Sequence, residues 1–469
     1  MNPIERRHFL KTAIGGTAGL IAIPNIFAGS LFAQNPANKR IQVAQIGCGR
    51  MGLADLNNML AEPLARVIAV CDLDSKRAAE GKRRIEAFYK KKGEASVEVK
   101  VYSDHRELLA NSAIDAVVIS TPDHWHGICA VEAAIAGKHI YCQKPLTYNI
   151  AESIALRTAV RAKKVILQTG SQQRSQNPFS TFRKASEAVL NGRLGKLKTI
   201  KIGVGLDKPS GKPPTPVPVP ANFNYDRWLG PAPRQEYVEL RCHPQKCFKD
   251  RPGWITTEDF GLGMITNWGA HHIDIAQWAM GQQLGGPLTI DAKATFMKND
   301  AWTVHQNYHV ELLYPNDVLV ILNNTFENGL LFEGEEGTIF CKRGAAKVTE
   351  SDPDGPSDEK GSLRASDVNL LSPLGADAKL WAPSKNHYVN WLEAILANTD
   401  PIAPVDQAAR SLQTCSAAWI GMKLGHKLNW DVATESFVKD DEANAMRGRK
   451  PRSAEYDIDA IMKKAGITS

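Results

Sequence analysis

Six residues constrain this chain more than any others: Gly47-Cys48-Gly49-Arg50-Met51-Gly52 directly follow the apolar run Ile41–Ile46 and open a helical stretch. A G-x-G-x-x-G turn carries little information alone, but between a strand and a helix each glycine has a physical task. Gly47 permits the tight turn, Gly49 lets the backbone approach a pyrophosphate, and Gly52 lets the helix pack closely on the sheet. The helix N-terminus offers unpaired N–H groups to the phosphates. A second apolar run ends at Asp72, 20 residues beyond Gly52, where a carboxylate accepts hydrogen bonds from the adenosine ribose hydroxyls. Its charge repels a 2′-phosphate, so the pattern predicts NAD as cofactor and disfavours NADP.

From residue 39 short apolar runs alternate with helical periodicity, which predicts a parallel sheet covered by helices on both faces. Expected strands are 41–46, 67–71, 116–120, 139–141 and 165–169. Expected helices lie near 51–60, 75–91, 127–136 and 150–163, the last opened by a capping box from Asn149 to Glu152. Beyond residue 169 longer alternating runs (197–205, 304–314, 318–326) predict a large, open-faced, mainly antiparallel sheet. Residues 208–220 hold six prolines and read as a stiff extended loop. Residues 351–376, rich in Asp, Gly, Ser and Pro, read as a surface excursion. The fold class is therefore α/β, a doubly wound Rossmann domain followed by a second α/β domain.

Several strings together resemble the Gfo/Idh/MocA oxidoreductase family. They are the stretch from Asp115 to Pro122 with Asp123-His124-Trp125-His126, then Gly137 to Leu146 including Gln143-Lys144-Pro145, then Trp228-Leu229-Gly230-Pro231, Asn267-Trp268-Gly269-Ala270-His271-His272-Ile273-Asp274 and Phe332-Glu333-Gly334-Glu335-Glu336-Gly337. The resemblance implies an NAD-binding domain at 39–169, a substrate-binding and oligomerisation domain at 170–440 and a C-terminal tail at 441–469. It also implies a homodimer or homotetramer built through the open sheet. The implied activity is hydride transfer between NAD and a ring hydroxyl of a sugar, glycoside or polyol.

Carried over residue by residue, the family's Glu-Lys-Pro lysine is Lys144, beside the nicotinamide, where an ammonium stabilises the reacting oxygen. Gln143 replaces the family's glutamate. The D-x-G-x-H-x-x-D motif maps onto Asn267, Gly269, His271 and Asp274, with His271 the expected general base. Asn267 replaces an aspartate, and an amide neither accepts a proton nor stabilises an imidazolium by charge. Thr121, Pro122, Trp125 and His126 stand at the carboxyl end of a strand, where such sheets bind ligands. Arg174 is a candidate clamp for substrate oxygens, with a salt bridge as the competing role, and Asp274 a supporting substrate contact. His272 is read as structural.

Two other functions stand beside this one. Glycoside cleavage through transient oxidation by bound NAD is an alternative, although the family's glycosidase branch usually lacks the lysine that is present here as Lys144. A catalytically silent NAD- or sugar-binding protein is the reading favoured by the lost acids at Gln143 and Asn267.

The N-terminus reads as an address. Arg6-Arg7 precede an uncharged, Gly- and Ala-rich stretch from residue 12 to 33 that also holds Pro24, a poor membrane span. The pattern resembles a twin-arginine export signal, departing from it at Glu5, and predicts a periplasmic protein. Losing residues 1–33 removes Arg6, Arg7 and Lys11 against Glu5, so the formal charge falls from +7 to +5. Lys and Arg are otherwise scattered, without the basic, aromatic-interleaved stripe of a nucleic-acid binder. Of eight cysteines only Cys242 and Cys247 are close, around His243. A metal site there would need further ligands, and both a local disulfide and two free thiols are open.

Overall fold

The computed structural model describes residues 40–94, 98–349, 352, 355 and 359–468. The expected export signal lies outside the described residues. None of the described helices is long and apolar enough to cross a membrane.

The first sheet contains β1 (Ile41–Ile46), β2 (Ala65–Cys71), β3 (Lys100–Tyr102), β4 (Ala116–Ile119), β5 (His139–Cys142) and β6 (Leu167–Thr169). Its strand order is β3-β2-β1-β4-β5-β6, and every pairing is parallel. The covering helices are α1 (Arg50–Ala61), α2 (Ser75–Lys91), α3 (His105–Leu109), α4 (Asp123–Ile135) and α5 (Ile150–Lys163). Chain direction across the sheet reverses between β1 and β4, which opens a crevice at their carboxyl ends. The expected cap forms at α5: Asn149 accepts the Glu152 N–H at 2.9 Å, and Glu152 reaches back to the Tyr148 N–H at 3.2 Å.

The second sheet has nine strands in the order β13-β12-β11-β7-β10-β9-β8-β14-β15. Its central members are β7 (Leu197–Gly203), β8 (Thr289–Phe296), β9 (His305–Leu313), β10 (Leu319–Asn323), β11 (Gly329–Gly334) and β12 (Thr338–Cys341). The edges are β13 (Leu363–Ala365), β14 (Leu428–Asp431) and β15 (Ser436–Phe437). Among the described strands of this sheet only β7 and β10 pair in parallel. Alternation dictates the faces: Tyr308, Val310 and Leu312 of β9 are buried, while His309 between them is exposed. The buried face packs against α6 (Gln176–Leu190), α9 (Gly269–Ala279) and α12 (Val405–Leu424). Between them in sequence lie the short helices α7 (Tyr225–Leu229) and α8 (Met264–Asn267), then α10 (Glu359–Ser362) and α11 (His387–Ala397).

Two expectations change on contact with the structure. Residues 351–376 are not wholly a surface excursion: they supply edge strand β13 and carry Asp352 into the cavity described below. The C-terminal residues also return to the first domain. Tyr388, Trp391 and Leu392 of α11 pack with Ile41, Val43 and Val67 of its sheet. Val405, Ala408 and Leu412 of α12 complete the opposite layer together with Tyr456 and Met462.

Candidate functional site

A cavity of about 600 Å³ runs from the glycine turn, between the two domains, to α9. The turn is built as its sequence requires. Gly47 has φ +86°, and a Cβ there would lie 2.7 Å from the Ser120 carbonyl oxygen. A Cβ on Gly52 would overlap the Gly47 carbonyl oxygen at 2.0 Å. One on Gly49 would meet no protein atom within 4 Å, because this residue faces the cavity. Arg50 and Met51 follow in the wall, at the start of a helix with no side-chain cap. Cys48 points inward and is buried, and its N–H donates to Asp72 at 2.7 Å. The other Asp72 oxygen accepts the Asp74 N–H at 2.9 Å. Burial raises the Asp72 carboxyl above its ordinary value, and these two N–H groups with Arg77 hold it back.

Further in, Thr121 and Pro122 line the cavity, and the buried Thr121 Oγ1 has no hydrogen-bond partner among the described residues. A glycine face that opens onto the cavity, a ribose-range carboxylate and an orphaned hydroxyl together fit a dinucleotide. Trp125 and His126 shape the wall, with their polar atoms already engaged. Trp125 Nε1 donates to the Trp228 carbonyl at 2.8 Å. His126 lies between the carbonyls of Pro145 (2.7 Å) and Thr121 (2.9 Å), and burial pushes its pKa down to about 4. The neutral ring has one N–H, so it donates to one of these two carbonyls and only packs against the other.

Gln143 explains its own departure from the acid. Its amide donates to both oxygens of Asp55, at 2.9 and 3.0 Å. Asp55 is fully buried, also accepts from Ser120 Oγ and Tyr388 Oη, and is raised by burial to about 6. A glutamate at 143 would set a second carboxyl against it, and two such groups cannot both ionise at that range.

Lys144 and Asn267 meet: Nζ donates to both the carbonyl oxygen and Oδ1 of Asn267, each at 2.8 Å. His271, one helical turn on, lines the same cavity. Two residues absent from the sequence-based site join them. Asp123, the first residue of α4, is buried beside Lys144. Burial raises its carboxyl and lowers the lysine, and each opposes the other's shift. Arg343, just past β12, reaches His271 Nε2 at 3.1 Å. Asp123 was visible in its motif, directly after Thr121-Pro122, whereas Arg343 lies 72 residues from its partner and carries no local signal.

Arg174 and Asp274 are not in the cavity wall. Arg174 Nε and Nη2 donate to Asp274 at 2.7 and 2.6 Å, and Nη1 donates to the Ile402 carbonyl at 3.0 Å. The side chains are 1% and 2% exposed. The pair joins α9 to α12 inside the second domain, so the expected substrate contacts give way to the salt bridge. His272 also turns from the cavity, its Nδ1 3.2 Å from the Gly203 carbonyl. Cys242 and Cys247 are free thiols, and His243 between them pairs with Asp74 at 3.0 Å.

Residues 41–171 match the oxidoreductase family's NAD-binding Rossmann fold, and residues 209–349 match its C-terminal alpha/beta domain. The chain belongs to the Gfo/Idh/MocA oxidoreductase family. An uncharacterized oxidoreductase YrbE of Bacillus subtilis is 24% identical over 67% of this chain and 75% of its own length. A myo-inositol 2-dehydrogenase of Thermotoga maritima is 30% identical over 34% of this chain and 44% of its own, so the chain spans less than half of that relative. The WlbA dehydrogenase of Chromobacterium violaceum, solved with NADH and UDP-GlcNAcA, superposes with a TM-score of 0.58 at 18% identity, covering 88% of this chain and 99% of that one. The oxidoreductase described here thus has its family's fold and NAD as its cofactor.

Proposed function

We propose that this oxidoreductase transfers hydride between NAD and a ring hydroxyl of a sugar, glycoside or sugar-like polyol. The observation that carries the proposal is the continuity of one cavity from the Asp72 carboxylate to Lys144 and His271, contributed by different domains. A lysine and an imidazole at the far end of a dinucleotide site suit a substrate whose hydroxyl gives up its proton as its carbon loses hydride. The similarity to a protein named myo-inositol 2-dehydrogenase supports a cyclic polyhydroxylated substrate.

The chain is proposed to leave the cytoplasm folded, by the twin-arginine route, with its NAD bound and recycled in the periplasm. Assembly as a homodimer or homotetramer through the open sheet face accounts for Leu319, Ile321 and Leu313 remaining only half-buried there. The test is absorbance at the reduced-nicotinamide band while purified protein is offered sugars, inositols and aryl glycosides. Reduction of NAD by a ring alcohol supports the reading, and glycoside release without net reduction supports the cleavage alternative. Sugar binding without either reaction favours a silent binding protein.

A further inference from the structure

Arg343 fixes more about His271 than a contact. A guanidinium has only donors, so the His271 Nε2 that lies 3.1 Å from Arg343 Nη2 presents its lone pair. A neutral ring then carries its proton on Nδ1. That Nδ1 is buried and has no hydrogen-bond partner among the described residues, in a residue that lines the cavity. Arg343 is held in place. Its guanidinium lies 4.4 Å from the Phe179 ring centroid and 4.6 Å from that of Trp268, and Nη1 donates to Asp352 at 2.9 Å. The groups facing the ring keep it neutral: burial, then Arg343, Lys144, His272 and His387 all hold His271 well below its ordinary value. Asp352 lies beyond Arg343, on its other terminal nitrogen.

Lys144 is arranged in the complementary way. Both its acceptors, the carbonyl and amide oxygens of Asn267, are uncharged. A neutral amine satisfies both with its two N–H groups and keeps a lone pair, whereas an aspartate at 267 would hold an ammonium. Burial lowers Lys144, Arg343 and Arg50 lower it further, and Asp123 and Asp352 oppose.

We infer that Arg343 fixes His271 as an Nδ1–H donor to the substrate oxygen, and that the hydroxyl proton passes to the neutral amine of Lys144. The inference rests on the dehydrogenase reading. The carbinol carbon loses its hydrogen with both electrons to NAD+, and the O–H bonding pair becomes the second C–O bond. The proton makes Lys144 an ammonium, which returns it to solvent. Arg343 is a positioning residue: it touches His271 and selects its tautomer.

The test begins without substrate. Selective 15N-histidine labelling of the full protein, with His271→Gln for assignment, reads the protonation of each ring nitrogen. His271 should show a protonated Nδ1 and an unprotonated Nε2, unchanged across roughly pH 5 to 8. An Nε2–H tautomer or a titrating ring overturns the inference. The double variant R343M/D352N removes both charges together, and the ring should then change tautomer or begin to titrate; an unaltered spectrum overturns the role of Arg343. With a turned-over substrate, kcat should rise with pH along a limb centred below the ordinary lysine value of about 10.4. Glutamine still donates a hydrogen bond, so His271→Gln should keep that limb and remain within about tenfold in kcat, whereas Lys144→Ala abolishes the limb. A loss of roughly 10²–10⁴-fold in His271→Gln, the scale of a missing general base, with the limb intact in Lys144→Ala, overturns the assignment. If no ring alcohol is oxidised, the functional reading fails, while the tautomer spectrum still decides what Arg343 does.

Discussion

Arg174→Met separates a structural salt bridge from a substrate clamp. In the native protein Asp274 receives two hydrogen bonds from Arg174 and one from Ser411 Oγ at 2.8 Å. With the guanidinium gone, a carboxylate 2% exposed keeps only the serine. Removing one partner of such a buried pair costs about 3–5 kcal/mol, because the remaining charge has neither water nor a counter-ion. The double variant R174M/D274L removes both charges. The remaining cost is the Ile402 carbonyl and the Gln407 side chain that Arg174 also served, about 1–3 kcal/mol for an unsatisfied buried acceptor. The double variant should therefore be more stable than R174M alone, which is the reverse of additive damage. Urea unfolding followed by circular dichroism measures all three proteins, and steady-state kinetics on the folded fraction measures KM. If R174M instead unfolds at the native urea concentration while its KM for the ring substrate rises strongly, Arg174 holds substrate and the structural role is refuted.

Three further outcomes are expected. Asp72→Ser should weaken NAD binding by roughly 10- to 100-fold, the scale of lost charge-assisted hydrogen bonds, and relax discrimination against NADP; equal affinity of the native protein for both cofactors would refute it. Gly49→Ala, whose Cβ meets no protein atom, should melt like the native protein without ligand yet bind NAD poorly by fluorescence titration. Gly52→Ala, whose Cβ would overlap the Gly47 carbonyl, should lose stability first, and the opposite pairing of effects would show the turn has been misassigned. Changing Arg6 and Arg7 together to Lys should leave full-length, NAD-loaded protein in the cytoplasm on fractionation, and unchanged export would count against the twin-arginine route.

Local chemistry made the first domain legible. Gly47, Gly49, Gly52 and Asp72 act within one strand–helix–strand unit, so their spacing is their geometry. Periodicity marks helices 75–91 and 150–163, the second marked also by its capping box, and both match the structure in full. The short β3 and α3, residues 100–102 and 105–109, escaped because so few residues carry no period. For Arg174 the sequence leaves a substrate clamp and a salt bridge both open, and Asp274 takes its supporting substrate role from its place in the family motif. What the sequence does not carry is that these two residues, 100 positions apart, face each other. Arg343 and Asp352 give no signal in the sequence for the converse reason: they flank a polar stretch that reads as surface, and only the closing of the second sheet turns them inward. Gln143 reads in sequence as a lost acid, and its reason, Asp55 packed against it, stands 88 residues earlier.

The return of α11 and α12 to the first sheet has a consequence for the order of events in synthesis. A ribosome that has released residues 41–169 has delivered all six parallel strands, yet the layers over them still lack Tyr388, Trp391, Leu392, Val405 and Leu412. Such pairings close loops of more than 200 residues, and contacts of that separation form late because their chain entropy must be lost before they contribute. Asp55 stays without the Tyr388 hydroxyl until the same moment. The nucleotide domain is thus expected to mature only after the chain is nearly complete. A fragment ending near residue 170 should then be aggregation-prone rather than an independent NAD-binding module.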